Sequence, residues 1–349
     1  MALPWLSVVI PADNGQAFLD AALQSLLRQR AGDGIEIIAV DDGSCDETLA
    51  ILTGYSRRLP IRSERLPHSG NWVIGTNVGL SLARGKYACF LHQDDRWCDN
   101  RLQTLRSLAD QHPQIPLLIH PSWYVDASGA RVGRLSCPVR ANGGLVDAAE
   151  LVHGLLIQCF LTTCAPVFRM DVVRETGDLD ETLWYSADWE FWLRLAGVAG
   201  AVLHPERLCE FRLHRASQTS VRAIDPNDLQ RQHDEVLSRH LPRAVEHGPD
   251  SMVARLANFS AKTNVGLSAW RNHDGRRIRS LVPDVLRLGP IGIWRYMNSS
   301  RITERAISRL RAGLRRTAEG YRDVKLEAPV SRDKARAGIS GAVETGCLS

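Results

Sequence analysis

Short apolar runs alternate with amphipathic stretches over the N-terminal part of the chain. The run LSVVI (6–10) precedes FLDAALQSLLRQR (18–30), in which the leucines fall on one helical stripe, and IEIIAV (35–40) precedes a second helical stretch. Strands that alternate with helices in this way favour a parallel sheet with helices on its faces. The pattern therefore predicts an α/β fold whose ligand site lies beyond the carboxyl ends of the strands.

Two acidic pairs follow predicted strands. Asp41 and Asp42 close the second strand, and Asp94 and Asp95 follow KYACFL (86–91). Because the carboxyl ends of parallel strands meet at one edge of the sheet, both pairs are expected at the same crevice. Adjacent carboxylates repel each other, and a divalent cation between them relieves the repulsion. The alternative is that the second pair only caps the following helix.

The turn VDDGS (40–44) joins the second strand to the next helix. Asp42 can accept a hydrogen bond from a nucleotide base or a ribose, and Gly43 allows a tight turn. The alternative is an ordinary strand-to-helix turn in which an aspartate caps the helix. The residues alone do not separate these two interpretations.

The segment YSADWEFWLRL (185–195) has the composition of a helix start. Ser186 stands at an N-cap position, and Asp188 and Glu190 fall in the first turn, where the helix dipole favours ionised carboxylates. An ionised aspartate that faces a crevice can take a proton from an attacking hydroxyl group. The alternative, which the segment by itself favours, is that both acids only stabilise the helix start.

A polar run, EFRLHRASQTS (210–220), follows VLHPERLC (202–209). Its His214 can serve as a third metal ligand, and its arginines can hold phosphate. The alternative is a solvated surface group, since this is the commoner place for a histidine among basic residues.

The sign of the charge changes near residue 270. Residues 1–270 carry 26 basic and 31 acidic side chains, a net charge of −5, whereas residues 271–349 carry 17 and 8, a net charge of +9. A nucleic-acid-binding protein is expected to be basic over its binding face rather than only in its tail. We therefore predict a catalytic body with acidic site residues and no nucleic-acid partner.

The basic C-terminal part contains an amphipathic stretch. RITERAISRLRAGLRR (301–316) sets Ile302, Ile307, Leu310 and Leu314 against a basic remainder. Such a segment can lie on an anionic membrane, which predicts a peripheral membrane contact. The alternative is a helix that packs on the catalytic body or on another subunit.

The chain is expected in the cytoplasm. Its eight cysteines form no CxxC pair and several lie in apolar runs, which is typical of free thiols in a reducing compartment. The opening MALPWLSVVIP lacks the charged region and cleavage site of a signal peptide, so we interpret it as the first strand. The longest apolar stretch (151–168) is interrupted by His153, Gln158 and Pro166, so no transmembrane helix is predicted.

Five stretches, taken in order, resemble the successive motifs of the family 2 inverting glycosyltransferases. This resemblance covers roughly residues 5–222 and implies a GT-A fold, with a mostly parallel, Rossmann-like central sheet flanked by helices. The stretches are VVIPADNG (8–15), VDDGSCDET (40–48), GTNVGLSLARGKYACFLHQDD (75–95), ETGDLDETLWYSADWEFWLRL (175–195) and FRLHRASQTS (211–220).

The resemblance also implies a division of the chain. Residues 1–222 form the glycosyltransferase domain, with a nucleotide-sugar-binding half (about 1–115) and an acceptor-binding, catalytic half (116–222). A basic helical extension (223–319) and a tail (320–349) follow. The tail is polar and lacks a core pattern, so it is predicted to be disordered.

The implied activity is the transfer of a sugar, with inversion, from a nucleotide-sugar to a hydroxyl group. UDP is the default nucleotide, and the acceptor is a saccharide or a lipid-linked compound of surface polysaccharide synthesis, which would place the enzyme at the inner face of the membrane. Mn²⁺ or Mg²⁺ is the implied cofactor, because it stabilises the departing diphosphate. Carried over by position, Asp188 is the catalytic base, and the metal ligands are Asp95 as first choice, Asp94 and His214. The contacts to the nucleotide-sugar are Pro11, Ala12, Asp13, Asp41, Asp42, Asn77, Asp94 and Arg212.

Three positions depart from the family's pattern. Asp13 stands where an aromatic residue is usual, His92 where an acid is frequent, and Ala187 where a glutamate precedes the base. These departures leave open a non-catalytic scaffold that binds nucleotide-sugar. A sugar-phosphate nucleotidyltransferase is a third hypothesis, but it needs a Gly- and Arg-rich loop, and IPADNGQAFL (10–19) has one glycine and no basic residue. Neither the sugar nor the oligomeric state is predicted.

Overall fold

The computed structural model describes residues 3–29, 34–215, 217, 225–244, 251–271 and 274–318. Residues 1–313 form one unit, and residues 314–349 form a second, of which the end of a helix, 314–318, is described. The stretch 320–349, for which disorder is predicted, lies outside the described residues.

The first unit alternates strands and helices up to about residue 212 and is helical afterwards. The strands are β1 (Leu6–Ala12), β2 (Ile35–Asp41), β3 (Ile61–Arg65), β4 (Tyr87–Phe90), β5 (Arg96–Trp97), β6 (Leu117–Ile119), β7 (Ser122–Val125), β8 (Arg131–Leu135), β9 (Leu145–Val146), β10 (Val167–Arg169), β11 (Ala201–Leu203) and β12 (Cys209–Arg212). The helices are α1 (Leu19–Leu27), α2 (Thr48–Tyr55), α3 (Trp72–Leu82), α4 (Arg101–Gln111), α5 (Ala148–Ile157), α6 (Met170–Thr176), α7 (Ala187–Ala199), α8 (Pro226–Ala244), α9 (Met252–Arg271), α10 (Arg276–Arg279), α11 (Val282–Ser300) and α12 (Ile302–Ala318).

The main sheet combines a parallel half with a mixed half. Its strand order is β3-β2-β1-β4-β10-β6-β11-β9, and the first four strands are parallel, as predicted. β10 is antiparallel to both of its neighbours and β9 is antiparallel to β11, so the sheet is mixed, but its other six strands point the same way, which confirms the mostly parallel sheet. Because β10 runs opposite to β4, the loop that enters β10 (158–166) lies at the edge where β4 ends.

A smaller sheet, which the sequence did not predict, has the order β5-β12-β7-β8. β12 lies between β5 and β7 and pairs Cys209 with Trp97 and with Ser122. This sheet joins the segment after Asp95 to the segment that carries His214. It therefore brings the second acidic pair and the late histidine together.

The core lies on both faces of the main sheet. Val9, Ile38 and Phe90 belong to one buried cluster. The preceding residues on the same strands, such as Val8 and Ile37, belong to the other. Side chains alternate between the faces of a strand, so a sheet covered on both sides requires continuous apolar runs. This accounts for the runs LSVVI and IEIIAV.

The C-terminal helices pack against α5 and against the segment 133–136. α9 contacts α5 and α8, and α11 is kinked at Gly289. On α12, Glu304 accepts the backbone N–H of Ser136 (3.0 Å), and Ser308 lies against Gly133, where a Cβ would collide with its hydroxyl. Among the helices within the described ranges, none is both long and apolar enough to cross a bilayer.

Candidate active site

A cavity of about 310 Å³ opens beyond the carboxyl ends of β1, β2 and β4. Its wall begins at the loops that follow these strands and continues to α7, α9 and α12. Asp42, Asp94 and Asp188 all line it. The cavity therefore joins acids from the two halves of the chain.

Gln93 holds Asp13 at the end of β1. Its Oε1 accepts the backbone N–H of Asp13 (2.8 Å), and its Nε2 donates to the Asp13 carbonyl oxygen (2.9 Å). On the neighbouring strand, Asp42 donates its N–H to the carbonyl oxygen of Ala12 (2.8 Å). The two carboxylates therefore lie side by side at the sheet edge.

Asp42 organises the turn 68–70. Its Oδ1 accepts the N–H of Ser69 (2.8 Å), and its Oδ2 accepts the N–H of Gly70 (2.7 Å). Gly43 is required here because its φ is +72° and a Cβ would lie 2.8 Å from the backbone nitrogen of His68. Each carboxylate oxygen can accept one further hydrogen bond, as from a base N–H or a ribose hydroxyl.

Asp13, Asp42 and His68 offer metal-ligand atoms within 4.8 Å of one another. His68 Nδ1 lies 2.9 Å from the carbonyl oxygen of Asp42, which can only accept, so this nitrogen carries a proton. Burial raises the pKa of Asp13, and the charge of His68 opposes the rise. The arrangement favours hydrogen bonding to a polar ligand over ligation of a metal through Nδ1.

Asp94 pairs with His214 in the cavity wall. Asp94 Oδ2 lies 2.7 Å from His214 Nε2, and the ring of Phe18 lies edge-on to the imidazole with centroids 4.7 Å apart. Burial raises the pKa of Asp94, but the hydrogen bond and charge of His214 outweigh it and lower the pKa below its usual value. Asp94 is therefore an ionised acceptor that faces the cavity.

Asp95 lies outside the cavity wall and is 1% exposed. Its Oδ1 accepts the N–H of Arg212 (3.0 Å), while its buried Oδ2 has no hydrogen-bond partner among the described residues. Burial and then the charge of Asp94 raise the pKa of Asp95 well above its usual value. A divalent cation beside the pair would favour the ionised form of both acids. Carboxylate oxygens and an imidazole are ligand types that such a cation takes, so Asp94, Asp95 and His214 are chemically suited to it, although in this structure only Asp13, Asp42 and His68, among the described residues, have three ligand atoms within 4.8 Å of one another.

Asp188 is half-buried in the wall at the start of α7. Its Oδ1 accepts the N–H of Trp189 (2.8 Å). Burial raises the pKa of Asp188 to about 6, although the N–H of Trp189 opposes the rise. A carboxylate with this pKa is ionised at neutral pH and still basic enough to take a proton from a hydroxyl group.

The loop before Asp188 is held from α8. Gln232 Oε1 accepts the N–H of Tyr185 (2.9 Å) and of Ser186 (3.3 Å). Asp228 accepts hydrogen bonds from Gln232 Nε2 (2.9 Å) and from Trp184 Nε1 (2.8 Å). The helix after the predicted catalytic domain therefore positions the start of α7.

Three side chains that were predicted to contact the nucleotide-sugar do not line the cavity in the part of the chain that the structure describes. Asp41 is fully buried and accepts the N–H of Ser44 (3.3 Å). The amide of Asn77 donates to the carbonyl oxygen of Leu179 (2.9 Å). The Arg212 guanidinium donates to backbone carbonyl oxygens, including that of Asp94 (2.8 Å). These side chains stabilise the loops around the cavity.

The structure brings seven of the predicted residues to one wall and adds others that the sequence did not single out. The predicted residues on the wall are Pro11, Ala12, Asp13, Asp42, Asp94, Asp188 and His214. The additional ones include Gln93, Gln158, Asn264, Arg305 and Arg309.

Comparison with known proteins identifies the family. A sequence model described as glycosyl transferase family 2 matches residues 7–130. An uncharacterised protein of Mycobacterium tuberculosis is 30% identical over 244 residues, which are 66% of this chain and 74% of that protein. An uncharacterised glycosyltransferase of Rickettsia prowazekii is 26% identical over 62% of this chain and 66% of its own length. The chain belongs to glycosyltransferase family 2. The match spans just under two thirds of the Rickettsia relative.

Solved structures show the same fold. A crystal structure of S. aureus TarS 1–349 in complex with UDP-GlcNAc is 17% identical, with a TM-score of 0.58 over 90% of this chain and 92% of that one. A second crystal structure of S. aureus TarS 1–349 is 18% identical, with a TM-score of 0.55 over 91% of this chain and 93% of that one. The predicted GT-A fold of the family is confirmed. The family match ends before Asp188, and the comparisons test none of the predicted site residues.

Proposed function

We propose that the protein is an inverting glycosyltransferase that moves a sugar from a UDP-sugar to a hydroxyl group of a saccharide or lipid-linked acceptor in surface polysaccharide synthesis. The observation that carries the proposal is that Asp42 and Asp188, from opposite halves of the chain, line one cavity. UDP is the proposed nucleotide because TarS, which has the same fold, was crystallised with UDP-GlcNAc.

Asp188 is the proposed catalytic base. An acceptor hydroxyl attacks the anomeric carbon of the donor, its proton moves to an Asp188 carboxylate oxygen, and the bond from the anomeric carbon to the diphosphate oxygen breaks. Attack opposite to the leaving group inverts the anomeric configuration. The neutral Asp188 later releases its proton to water, which a pKa of about 6 allows at neutral pH.

Asp94, Asp95 and His214 would hold the divalent cation, Mn²⁺ or Mg²⁺. When bound, the cation supplies positive charge that stabilises the departing diphosphate. Asp42 and Asp13 bind the nucleoside end of the donor, where His68 and the turn 68–70 fix their orientation. Residues 1–115 therefore form the donor half of the proposed domain, and residues 116–222 form the acceptor half.

Release of UDP tests the proposed activity. The full chain is incubated with UDP-sugars and candidate acceptors, with and without Mn²⁺, and free UDP is measured. We expect metal-dependent release that increases with acceptor. Tight nucleotide binding without turnover for any donor would support the non-catalytic scaffold instead.

Asp42→Asn is expected to weaken UDP binding about tenfold or more, because a charged hydrogen-bond acceptor is lost. Isothermal titration of UDP against the wild type and the variant measures the change. Glu64→Gln, which alters an exposed acid paired with Arg62, is the control. If the folded Asp42→Asn variant bound UDP as tightly as the wild type, the assignment of Asp42 to the nucleotide site would be contradicted.

A peripheral membrane contact through α11 and α12 is part of the proposal. Large apolar side chains are exposed there, and Leu286 (76%), Ile291 (68%), Trp294 (67%) and Leu310 (63%) are the most exposed of them. Ile302, by contrast, packs against the cluster formed by α9 and α11. The C-terminal part is also basic, so an anionic membrane complements both its charge and its apolar surface.

Ile291→Ser combined with Trp294→Ser is expected to lower binding to phosphatidylglycerol vesicles about tenfold or more, since two apolar side chains that would enter the bilayer are lost. Vesicle sedimentation measures the bound fraction. Val198→Ser removes an exposed apolar side chain of α7 and serves as the control. Unchanged binding in the double variant, or dimerisation of the wild type that the double variant abolishes, would contradict the membrane contact.

A further inference from the structure

Residues from three helical segments line the cavity together with Asp188. Gln158 follows α5, Asn264 belongs to α9, and Arg305 and Arg309 belong to α12. These residues lie outside the segment that the family model matches and outside the five sequence motifs. They are therefore candidates for recognition that is particular to this chain.

Arg305 is held by neutral partners. One terminal nitrogen donates to Gln158 Oε1 (2.6 Å), and the other donates to Asn264 Oδ1 (3.0 Å). The same Gln158 oxygen accepts a hydrogen bond from the hydroxyl of Ser260 (3.2 Å). These amides fix the guanidinium in position but leave its positive charge uncompensated.

Arg309 adds a second positive charge one helical turn later. The pKa of Arg305 is lowered by burial and then by the charge of Arg309. Within the described ranges, neither arginine lies within ion-pair distance of a carboxylate. Two close guanidinium groups, one of them largely withdrawn from water, are best stabilised by an anion.

Two contacts connect Arg305 to the side of the cavity that carries Asp188: Arg305 donates to Gln158, which follows α5 (2.6 Å), and α5 accepts the indole N–H of Trp189, the residue after Asp188, at the carbonyl oxygen of Leu155 (2.7 Å). Burial raises the pKa of Tyr185, and the charges of Arg305 and Arg309 oppose the rise while that of Asp188 adds to it. Asp94, by contrast, pairs with His214, whose Nε2 lies 2.7 Å from Asp94 Oδ2. We therefore assign the pair to the acceptor side of the cavity, and the donor diphosphate to the side of Asp94 and His214.

The position of α12 is fixed by contacts away from the cavity. Glu304 accepts both the N–H of Ser136 (3.0 Å) and its hydroxyl (3.2 Å). Ser308 packs directly on Gly133, where the Cβ of any other residue would collide with it. The arginines consequently project from a docked helix and not from a loop.

We propose that Arg305 and Arg309 bind a phosphate group of the acceptor and thereby select phosphate-bearing acceptors. The inference rests on the proposed function, because that function assigns the Asp188 end to the acceptor. A planar guanidinium matches two phosphate oxygens, and a second guanidinium can contact the third. Such a phosphate anchor would orient a neighbouring acceptor hydroxyl toward Asp188.

Binding of sn-glycerol 3-phosphate tests the proposal with the full chain. Isothermal titration is performed without nucleotide and again with saturating UDP, and glycerol is the uncharged comparison. We expect glycerol phosphate, but not glycerol, to bind in both conditions. Arg309→Ala is expected to weaken this binding about tenfold or more while UDP affinity stays unchanged. Arg305→Gln is expected to act similarly, and the thermal unfolding of both variants reports on their folding.

Arg311→Ala is the matched control, because Arg311 is exposed on the same helix but does not line the cavity. Loss of binding in this control, competition between UDP and glycerol phosphate, or no binding by the wild type would overturn the proposal. Dodecyl phosphate in neutral micelles is a second probe. Tighter binding than glycerol phosphate indicates a lipid-linked acceptor, equal binding indicates a soluble one, and both results support a phosphate site. If the wild type does not bind UDP, the proposed function is contradicted. The titration of glycerol phosphate without nucleotide still tests the phosphate site in that case.

Discussion

Replacing Asp188 by Asn is expected to slow sugar transfer by a factor of about 100 to 10,000, which is the usual contribution of a general base. Asparagine keeps the shape of the side chain and can still accept the N–H of Trp189. It cannot take the proton of the acceptor hydroxyl. UDP binding should be unchanged, because Asp42 and not Asp188 lies at the nucleotide end of the cavity. Acceptor-dependent UDP release measures the rate, and isothermal titration measures the affinity.

The same substitution is expected to stabilise the folded protein at neutral pH. Burial raises the pKa of Asp188 to about 6, above the ordinary value of 3.8, so the folded state binds the proton more tightly than the unfolded state does. The wild type therefore loses stability as the pH rises from about 4 to about 6. The substituted asparagine does not titrate, so the variant's advantage should grow over this interval to roughly 1 to 3 kcal/mol and then remain constant. Urea unfolding at several pH values measures it.

The rate of sugar transfer by the wild type should depend on pH through the ionisation of Asp188. Because only the ionised carboxylate is a base, the rate of transfer should fall as the pH drops through about 6. Asp171→Asn is the control, since Arg169 lowers the pKa of this acid and the side chain lies on α6, away from the cavity. It should leave the rate unchanged. A fast Asp188→Asn enzyme would contradict its role as base, and a slow one without added stability would contradict the raised pKa.

The parallel half of the fold was predictable because it depends on local pattern. Apolar runs such as 6–10 and 35–40 are buried on both faces, and the helices between them carry apolar stripes. The smaller sheet was not predictable in this way. β5 has only two residues, Arg96–Trp97, and a strand that short shows no periodicity. Its pairing with β12, more than a hundred residues away, creates it.

The candidate site was likewise predictable only where it depends on local sequence pattern. Asp42 and Asp94 follow apolar strands, so their arrival at one edge followed from the sequence. The burial of Asp95 and the use of Arg212 on backbone carbonyls depend on the smaller sheet, which no local signal revealed. The contact between Arg305 and Gln158 joins residues 147 positions apart. An arginine in a basic amphipathic helix gives no sign that it faces a cavity.

Replacing Asp94 by Asn is expected to abolish the response of the protein to Mn²⁺. Asp94 is the ionised acid of the pair, and its charge contributes to the raised pKa of the buried Asp95. A bound cation that favours the ionised pair stabilises the fold by about 2.7 kcal/mol at a hundredfold excess over its Kd. Mn²⁺ should therefore raise the melting temperature of the wild type, and chelation should reverse the rise.

The melting temperature of the Asp94→Asn protein should be the same with and without Mn²⁺. The variant should also lose most of its transfer activity. Without metal, its stability should not fall much below that of the wild type, because the Oδ1 of asparagine can still accept a hydrogen bond from His214 Nε2. Asp99→Asn, an exposed acid five residues later that pairs with Arg28, is the control and should keep the full response. The cation site would be contradicted if Mn²⁺, Mg²⁺ and a chelator changed neither the melting temperature nor the transfer rate of the wild type.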